Sequence, residues 1–412
     1  MELRPGYKRT EAGIVPMDWL DKSVGGMMQF VGGSQPEKSV FRSSDRNGYI
    51  RLIQIRDYKT DKYKTFVPER LARRFCSETD IMIGRYGPPI FQILRGLRGA
   101  YNVALIKALP TQDLNNTYAY YFLKQGKLFS FIEKLSRRTS GQTGVDLDEL
   151  RSYPMPLPPT KAEQEEIAEA LSNADAYIES LEQLITKKRL IKQGAMQELF
   201  TGKQRLPGFS GEWQKIALRE IGSTYGGLTG KTKTDFGDGN AQYIPFMNVM
   251  SNVIISPEDL GRVKVLPVES QNQVLRGDLL LNGSSETPEE VAMCSVFTED
   301  IPDLYLNSFC FGFRLNANRW ANGLYLAYYL RSNVGRELIK SLAQGSTRYN
   351  LSKIALLKLE LKLPELPEQL AISNTLSDME LEIDALEVKL VKVLKVKQGM
   401  MQELLTGRIR LV

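Results

Sequence analysis

The chain has 412 residues, 42% of them apolar and 25% charged, with a net charge of +6 and no histidine. Its length exceeds one ordinary core and suits two or three domains. Without histidine the commonest general base and zinc ligand are missing, which excludes hydrolase triads and histidine metal sites. Cys76, Cys294 and Cys310 are scattered, with no metal-ligand spacing. Met1 to Val15 is polar and lacks the apolar stretch of a secretory signal, and no run nears the roughly 18 apolar residues of a membrane span. The expectation is a cytoplasmic protein with reduced thiols and no membrane partner. Lys and Arg exceed Asp and Glu by 8 in residues 1–206 and fall short by 2 in the rest, so charge argues for an anionic partner in the first half alone.

In chain order, a polar opening leads into Trp19, and Gly48 to Arg56 reads as a strand. Leu114 to Leu135 reads as a helix with Tyr120-Tyr121-Phe122-Leu123 on its buried face, and Leu157-Pro158-Pro159 ends this globular part. A helix of about 40 residues follows from Lys161 to Leu199, roughly 60 Å long, and Thr201-Gly202 stops it. The second half runs the same way. Asp278 to Asn282 is strand-like, Gly323 to Leu342 is helical with Tyr328-Tyr329-Leu330 inward, and a second long helix runs from Pro367 to Leu405 before Thr406-Gly407. These aromatics read as core rather than as base-stacking platforms.

The likeness of the halves is an internal duplication. Lys192 to Leu206 recurs at Lys397 to Leu411 with 11 of 15 positions identical, against about one expected from ordinary residue usage. At the same offset of 205, Glu163-Gln164 falls on Glu368-Gln369 and Pro159 on Pro364. Further upstream an offset of 194 matches Trp19 with Trp213, Gly32-Gly33 with Gly226-Gly227, Tyr49-Ile50 with Tyr243-Ile244, and Gln54 with Asn248. In the first long helix Ile167, Leu171, Ala174, Ile178, Leu181 and Ile185 are spaced as the seam of a helix pair requires, and Ile372, Leu376, Met379, Ile383, Leu386 and Leu390 repeat the pattern. If the two helices pair with each other they run antiparallel; the alternative is two amphipathic helices on separate cores. The expected fold is thus two copies of a mixed α/β (α+β) domain, 1–157 and 205–362, joined by helices in 158–204 and 363–412 that form an antiparallel coiled coil with approximate twofold symmetry.

This order of motifs, with Arg4-Pro5-Gly6-Tyr7-Lys8 and Gly13-Ile14-Val15-Pro16 before Trp19, Gly48 to Tyr58, the Leu157-Pro158-Pro159 exit and the Gln197-Glu198-Leu199-Phe200-Thr201-Gly202 close, resembles the specificity subunits of type I restriction-modification systems across the whole chain. The resemblance implies a non-catalytic subunit whose two target-recognition domains each read half of a split site in double-stranded DNA. It also implies helices that set the spacer and dock two DNA methyltransferase subunits, with restriction or translocase subunits able to join. No cofactor is expected on this chain; S-adenosylmethionine and ATP belong to those partners.

Loops beside the twin glycines are candidate DNA contacts, because glycine lets backbone approach phosphate: Ser34, Gln35 and Lys38, then Thr229, Lys231 and Lys233. An ordinary polar turn is the alternative for each. Gln54 and Asn248 either pair with adenine in the major groove or tie down a strand end. Arg51, Arg56 and Lys59 place charge on or beside one strand, and Arg85-Tyr86, Arg137-Arg138 and Arg348-Tyr349 place it in turns, for guanine edges or phosphates or for solubility. Asn282, at a strand end, completes the set. Gly226-Gly227-Leu228-Thr229-Gly230-Lys231-Thr232 mimics a phosphate loop, but its first glycine would have to sit at Tyr225. Glu360-Leu361-Lys362 alternates as a half-exposed strand does, and no Asn-Pro-Pro-aromatic methyltransferase motif occurs.

Overall fold

A computed structural model describes residues 5–136, 144–316 and 320–411. The chain divides into two compact units, Met1–Leu181 with Lys389–Val412, and Glu182–Val388. This differs from the four segments expected from the sequence. Each long helix contributes to both units, because its apolar stripe is buried in the core at each end rather than standing apart as a linker.

In the first unit Leu20–Ser23, just after Trp19, pairs antiparallel with Pro154–Leu157, so the chain enters and leaves the globular part side by side. A four-stranded antiparallel sheet has the order Met28–Gly32, Leu105–Pro110, Ile81–Gly84, Ile93–Leu94. Every residue of Ile81–Gly84 is buried, as suits a strand covered on both faces. A second sheet contains one parallel pair, Tyr49–Ile53 with Gly99–Tyr101. The second unit repeats the plan. Gln214–Ala217 pairs with Glu360–Leu363, an antiparallel sheet runs Gly222–Gly226, Cys310–Leu315, Leu279–Asn282, Cys294–Val296, and Phe236–Ile244 lies parallel to Leu304–Leu306.

Each expected mid-domain helix is in fact two. Asn116–Leu123 is followed by Gly126–Ser136, and Gly323–Arg331 by Asn333–Lys340, where Ser332 stops one helix and caps the next by accepting from the Gly335 amide. Asn115 and Asn322 cap the first helix of each pair. Their aromatics are core: Tyr118, Tyr121 and Phe122 pack with Trp19, Ile167, Leu171, Leu404 and Leu405, while Tyr325, Tyr328 and Tyr329 pack with Leu199, Phe200, Ile372 and Leu376.

The long helices span Lys161–Thr201 and Leu366–Leu404. In the first unit the start of one lies against the end of the other in the opposite direction: Lys397 pairs with Asp175, and the Lys389 ammonium sits 5.4 Å from the centre of the Tyr177 ring. In the second unit the roles are exchanged, with Lys192 paired to Glu380 and Lys188 to Glu382 at 2.6 Å. Ile167, Leu171, Ile178 and Leu181 are buried in the first unit, and Ile185, Ile372, Leu376 and Ile383 in the second. Ala174, Met379, Leu386 and Leu390 are half-buried.

A duplicated lock closes each unit. Buried Glu163 accepts from Arg410 Nε and Nη2 at 2.8 and 2.7 Å and from Trp19 Nε1 at 3.4 Å. Buried Glu368 accepts from Arg205, whose guanidinium lies 5.6 Å from the Trp213 ring centre. Next to them Gln164 accepts from the Asn115 amide at 2.8 Å and donates to Asp113 O and Pro158 O. Gln369 does the same for Asn322, Trp320 and Pro364. Gly202 and Gly407 take left-handed backbone, with φ of 68° and 66°, and lie against Trp213 and Trp19. The sequence identities at offset 205 are therefore two copies of one ion-pair lock.

Among the described residues no helix is long and apolar enough to cross a membrane, and no group of metal-ligating side chains is assembled. All three cysteines are buried; burial pushes the Cys76 thiol up to about 11 and those of Cys294 and Cys310 up to about 12. At pH 8 a thiol reagent is therefore expected to label none of them quickly in the folded protein and all three in denaturant. Removing one partner of a buried ion pair strands the other. Glu163→Ala is expected to cost about 2–4 kcal/mol, less than a fully buried pair because Arg410 keeps some solvent and its ion pair with Asp18 at 2.9 Å, and Glu163→Gln clearly less. Urea unfolding measures both, and a Glu163→Ala loss below about 0.5 kcal/mol, the scatter of surface changes, sinks the lock.

Candidate nucleic-acid interface

Each unit carries the same tight backbone crossing at one end of its strands. In the first, the Asn102 amide donates to Ile53 O at 3.1 Å and its side-chain Oδ1 accepts from Ala104 N at 3.2 Å. Gly33 passes so close that a Cβ there would lie 1.9 Å from the Asn102 carbonyl oxygen. In the second, the Asn307 amide donates to Ile244 O at 3.2 Å, its Oδ1 accepts from Phe309 N at 3.0 Å, and a Cβ at Gly227 would lie 2.0 Å from the Asn307 carbonyl oxygen. The second glycine of each pair thus serves backbone-on-backbone packing. That corrects the expectation that these glycines admit phosphate.

Two further segments meet each crossing. The loop after Ile81–Gly84 is closed by Phe91 N donating to Gly84 O, and the loop after Leu279–Asn282 by Ala292 N donating to Asn282 O. Both closing residues take left-handed backbone, with φ of 57° and 50°. Arg85 N donates to Ala104 O at 2.8 Å and Gly283 N to Phe309 O at 2.9 Å, tying each loop to its asparagine turn. The third segment precedes a short helix, Leu147–Ser152 or Lys353–Leu357: Val145 N donates to Arg85 O, and Leu351 N to Gly283 O.

The structure thereby brings together some of the sequence candidates. In the first unit the Arg85 guanidinium lies 5.3 Å from the ring centre of exposed Tyr86, while Arg137 and Arg138 lie outside the described residues. In the second unit Arg348 Nε and Nη2 donate to Ser284 Oγ at 3.1 and 2.9 Å, and Ser284–Ser285 pairs with Tyr349–Asn350. Exposed Lys353 stands over the Phe311 ring. Arg348 and Lys353 have no ion pair among the described residues. Ser34 and Gln35 are half-buried beside the first crossing, with Ser34 N donating to Tyr101 O; Lys38, Arg56, Lys59 and Lys233 are exposed.

Other candidates are committed elsewhere. Asn248, 4% exposed, donates to Ser256 O and Asp259 O and accepts from Ser256 N. Asn282, fully buried, donates to Ser284 O and Glu290 O and accepts from Met293 N. With their hydrogen bonds used inside the protein, neither reads a base. Gln54 donates to Thr65 Oγ1 at 3.0 Å at the start of a turn. Lys231 is buried against Glu269 and donates to Lys264 O, Arg51 pairs with Asp61 at 2.9 Å, and Thr229 is bonded to Gln271.

The equivalence of Gln54 with Asn248 fails as well. Ile53 and Ile244 receive the same hydrogen bond from Asn102 and Asn307, so the strands match at an offset of 191 rather than 194, and Asn248 falls opposite buried Asp57. The amide that recurs is Asn102/Asn307, at the helix offset of 205. Its flanks, Tyr-Asn-Val and Leu-Asn-Ser, share only the asparagine. Exposed Arg73, Arg74 and Phe75 also escaped notice, in a stretch with neither periodicity nor repeat.

The fold and the paired crossings define two copies of one module. The model of the type I restriction modification DNA specificity domain matches residues 16–188 and 210–395, and the chain belongs to that family. It is 24% identical, over 98% of its length and 96% of the relative's, to the type I restriction enzyme MjaVIII specificity subunit of Methanocaldococcus jannaschii. It is 23% identical, with the same coverage, to the putative MjaX specificity subunit of that organism. Its fold is similar to the crystal structure of the type I restriction-modification S subunit from M. genitalium, with a TM-score of 0.59 at 15% identity over 98% of each chain. A chain from work on type I R-M complex assembly and conformational transition matches at a TM-score of 0.56, 15% identity, over 96% of this chain and 99% of that one.

If the asparagine turns fix the crossings, Asn102→Ala and Asn307→Ala each cost about 1–2 kcal/mol through a lost side-chain to backbone bond. Amide exchange is then expected to accelerate at Ala104 and Phe309 respectively, read by hydrogen exchange with mass spectrometry. Unchanged exchange at those amides would assign the turns no such role.

Proposed function

We propose that this chain is the non-catalytic specificity subunit of a type I restriction-modification complex, with each unit reading one half of a split site in double-stranded DNA. The observation that carries the reading is that both units hold the same glycine–asparagine crossing while the loops around it differ almost completely. A constant scaffold with interchangeable rims suits two readers of different half-sites. Cations at the rims, half-buried Arg85 beside exposed Tyr86 in one unit and exposed Arg348 and Lys353 in the other, suit guanine edges and phosphates.

In this reading the two long helices form an antiparallel coiled coil with approximate twofold symmetry, set the distance and rotation between half-sites, and dock two methyltransferase subunits, with restriction or translocase subunits joining them. S-adenosylmethionine and ATP bind those partners, and the complex works in the cytoplasm. Methylation mapping of DNA from a host expressing the chain with its cognate methyltransferase subunit, against the methyltransferase alone, tests this. A split motif is expected only with the chain present, and exchanging residues 21–156 is expected to change one half-site. Inserting residues after Leu199 is expected to alter the spacer and leave both half-sites intact. Methyl transfer by the purified chain without a partner would overturn the non-catalytic assignment. Arg348→Ala is expected to weaken DNA binding by the complex about five- to a hundredfold, as loss of one bidentate contact does.

A further inference from the structure

We infer that Phe309 is a specificity-determining residue of the second unit and makes the apolar contact that recognises the C5-methyl group of a thymine in its half-site. The inference rests on the DNA-reading function proposed above and assigns one side chain within it.

Phe309 is 62% exposed, at the tip of the Asn307 turn where the three segments of the rim meet. The backbone of this residue does all of its structural work. Its N–H donates to Asn307 Oδ1 at 3.0 Å, its carbonyl accepts from Gly283 N at 2.9 Å, and a Cβ on Gly283 would already lie 3.2 Å from that carbonyl. Any residue but proline supplies those two bonds, so the phenyl ring is free of any duty in the core. It is nonetheless held on a rigid pedestal, with both backbone polar groups bonded and the chain on either side pinned by Asn307 and by the strand Cys310–Leu315.

Its surroundings favour DNA over a protein partner. The loop joined to it through Gly283 presents Ser284 and Ser285, Ser284 steadies the Arg348 guanidinium, and Lys353 stands over the neighbouring Phe311 ring. The same loop carries exposed Glu286, and a carboxylate there suits the amino group of a base rather than a phosphate. An apolar ring ringed by hydrogen-bonding groups and cations matches the major-groove edge of a thymine base pair. There the C5-methyl is the one apolar feature among donors and acceptors, and phenylalanine is among the side chains suited to it. At the matching place in the first unit, two residues past Asn102, stands half-buried Ala104, so the exposed aromatic ring belongs to the second unit's turn alone.

The test uses the complete complex with its methyltransferase subunits and duplexes carrying the mapped motif, in which each thymine of the second half-site is replaced in turn by deoxyuridine, which lacks only the methyl group. One position is expected to lose about three- to tenfold in affinity with the unaltered chain, the scale of one buried methyl and the ring surface around it. With Phe309→Ala that penalty is expected to fall below about 1.5-fold, while Phe309→Leu keeps part of it. The melting temperature of Phe309→Ala is expected to match that of the unaltered chain, since the backbone bonds remain. A half-site without thymine, a motif with no deoxyuridine-sensitive position, or the same penalty in Phe309→Ala overturns the inference and leaves the specificity reading standing. So does a variant that weakens assembly with the methyltransferase while keeping the penalty. Failure of the specificity reading looks different: no split motif depends on the chain at all.

Discussion

A carboxylate cannot be buried without its counter-charge, and that rule shapes both units. Glu163 and Glu368 each open a long helix beneath a tryptophan, where water does not reach. The arginine that answers each lies beyond the end of the other long helix, Arg410 for Glu163 and Arg205 for Glu368. With a stranded carboxylate costing several kcal/mol, neither globular part closes on its own repeat alone. The Lys397–Asp175 and Lys192–Glu380 pairs, whose carboxylates are partly exposed, join the helices one layer further along, and Tyr121 strengthens the first of them by donating to Asp175. Duplication has thus made each half of the chain the completion of the other half's core.

Above this base the chemistry separates into what is fixed and what varies. The crossing of Gly33 on Asn102, and of Gly227 on Asn307, allows no side chain on the glycine and asks for an asparagine whose Oδ1 pins the turn. The loops hung from it have no such constraint. One is short and basic, Arg85 to Pro89, and the other longer and carries Ser284, Ser285 and Glu286. Because loops attach to the crossing only through backbone bonds, their side chains are free to change without cost to the strands beneath.

The long helices, the exit prolines and the lock residues were legible in the sequence because a heptad stripe and a repeated string survive without knowledge of the partner. What the lock residues do was not, since Glu163 and Arg410 are far apart in the chain and meet only in the folded unit. The break at Ser332 inside an expected helix was marked by a residue that caps better than it propagates, a weak signal against the apolar periodicity around it. The candidate contacts fared unevenly for a plain reason: an asparagine that closes a loop and one that reads a base look alike in one dimension. Asn248 and Asn282 proved to be the former, and the matching of Tyr-Ile pairs at an offset of 194 hid the true register by three residues.

The closing of the first unit has a consequence for how the protein comes into being. Leu404, Leu405 and Arg410 are part of its core and lock, yet a ribosome releases them only after both globular parts and both long helices have been made. The second unit receives its own closing residues, Leu199 to Arg205, before its strands are even synthesised. Synthesis from the amino terminus therefore leaves the first-made unit waiting with an exposed apolar base until the whole second unit has been made. The unit that begins first is the last to be sealed, so its tryptophan-bearing base stays open on the nascent chain longer than that of its neighbour.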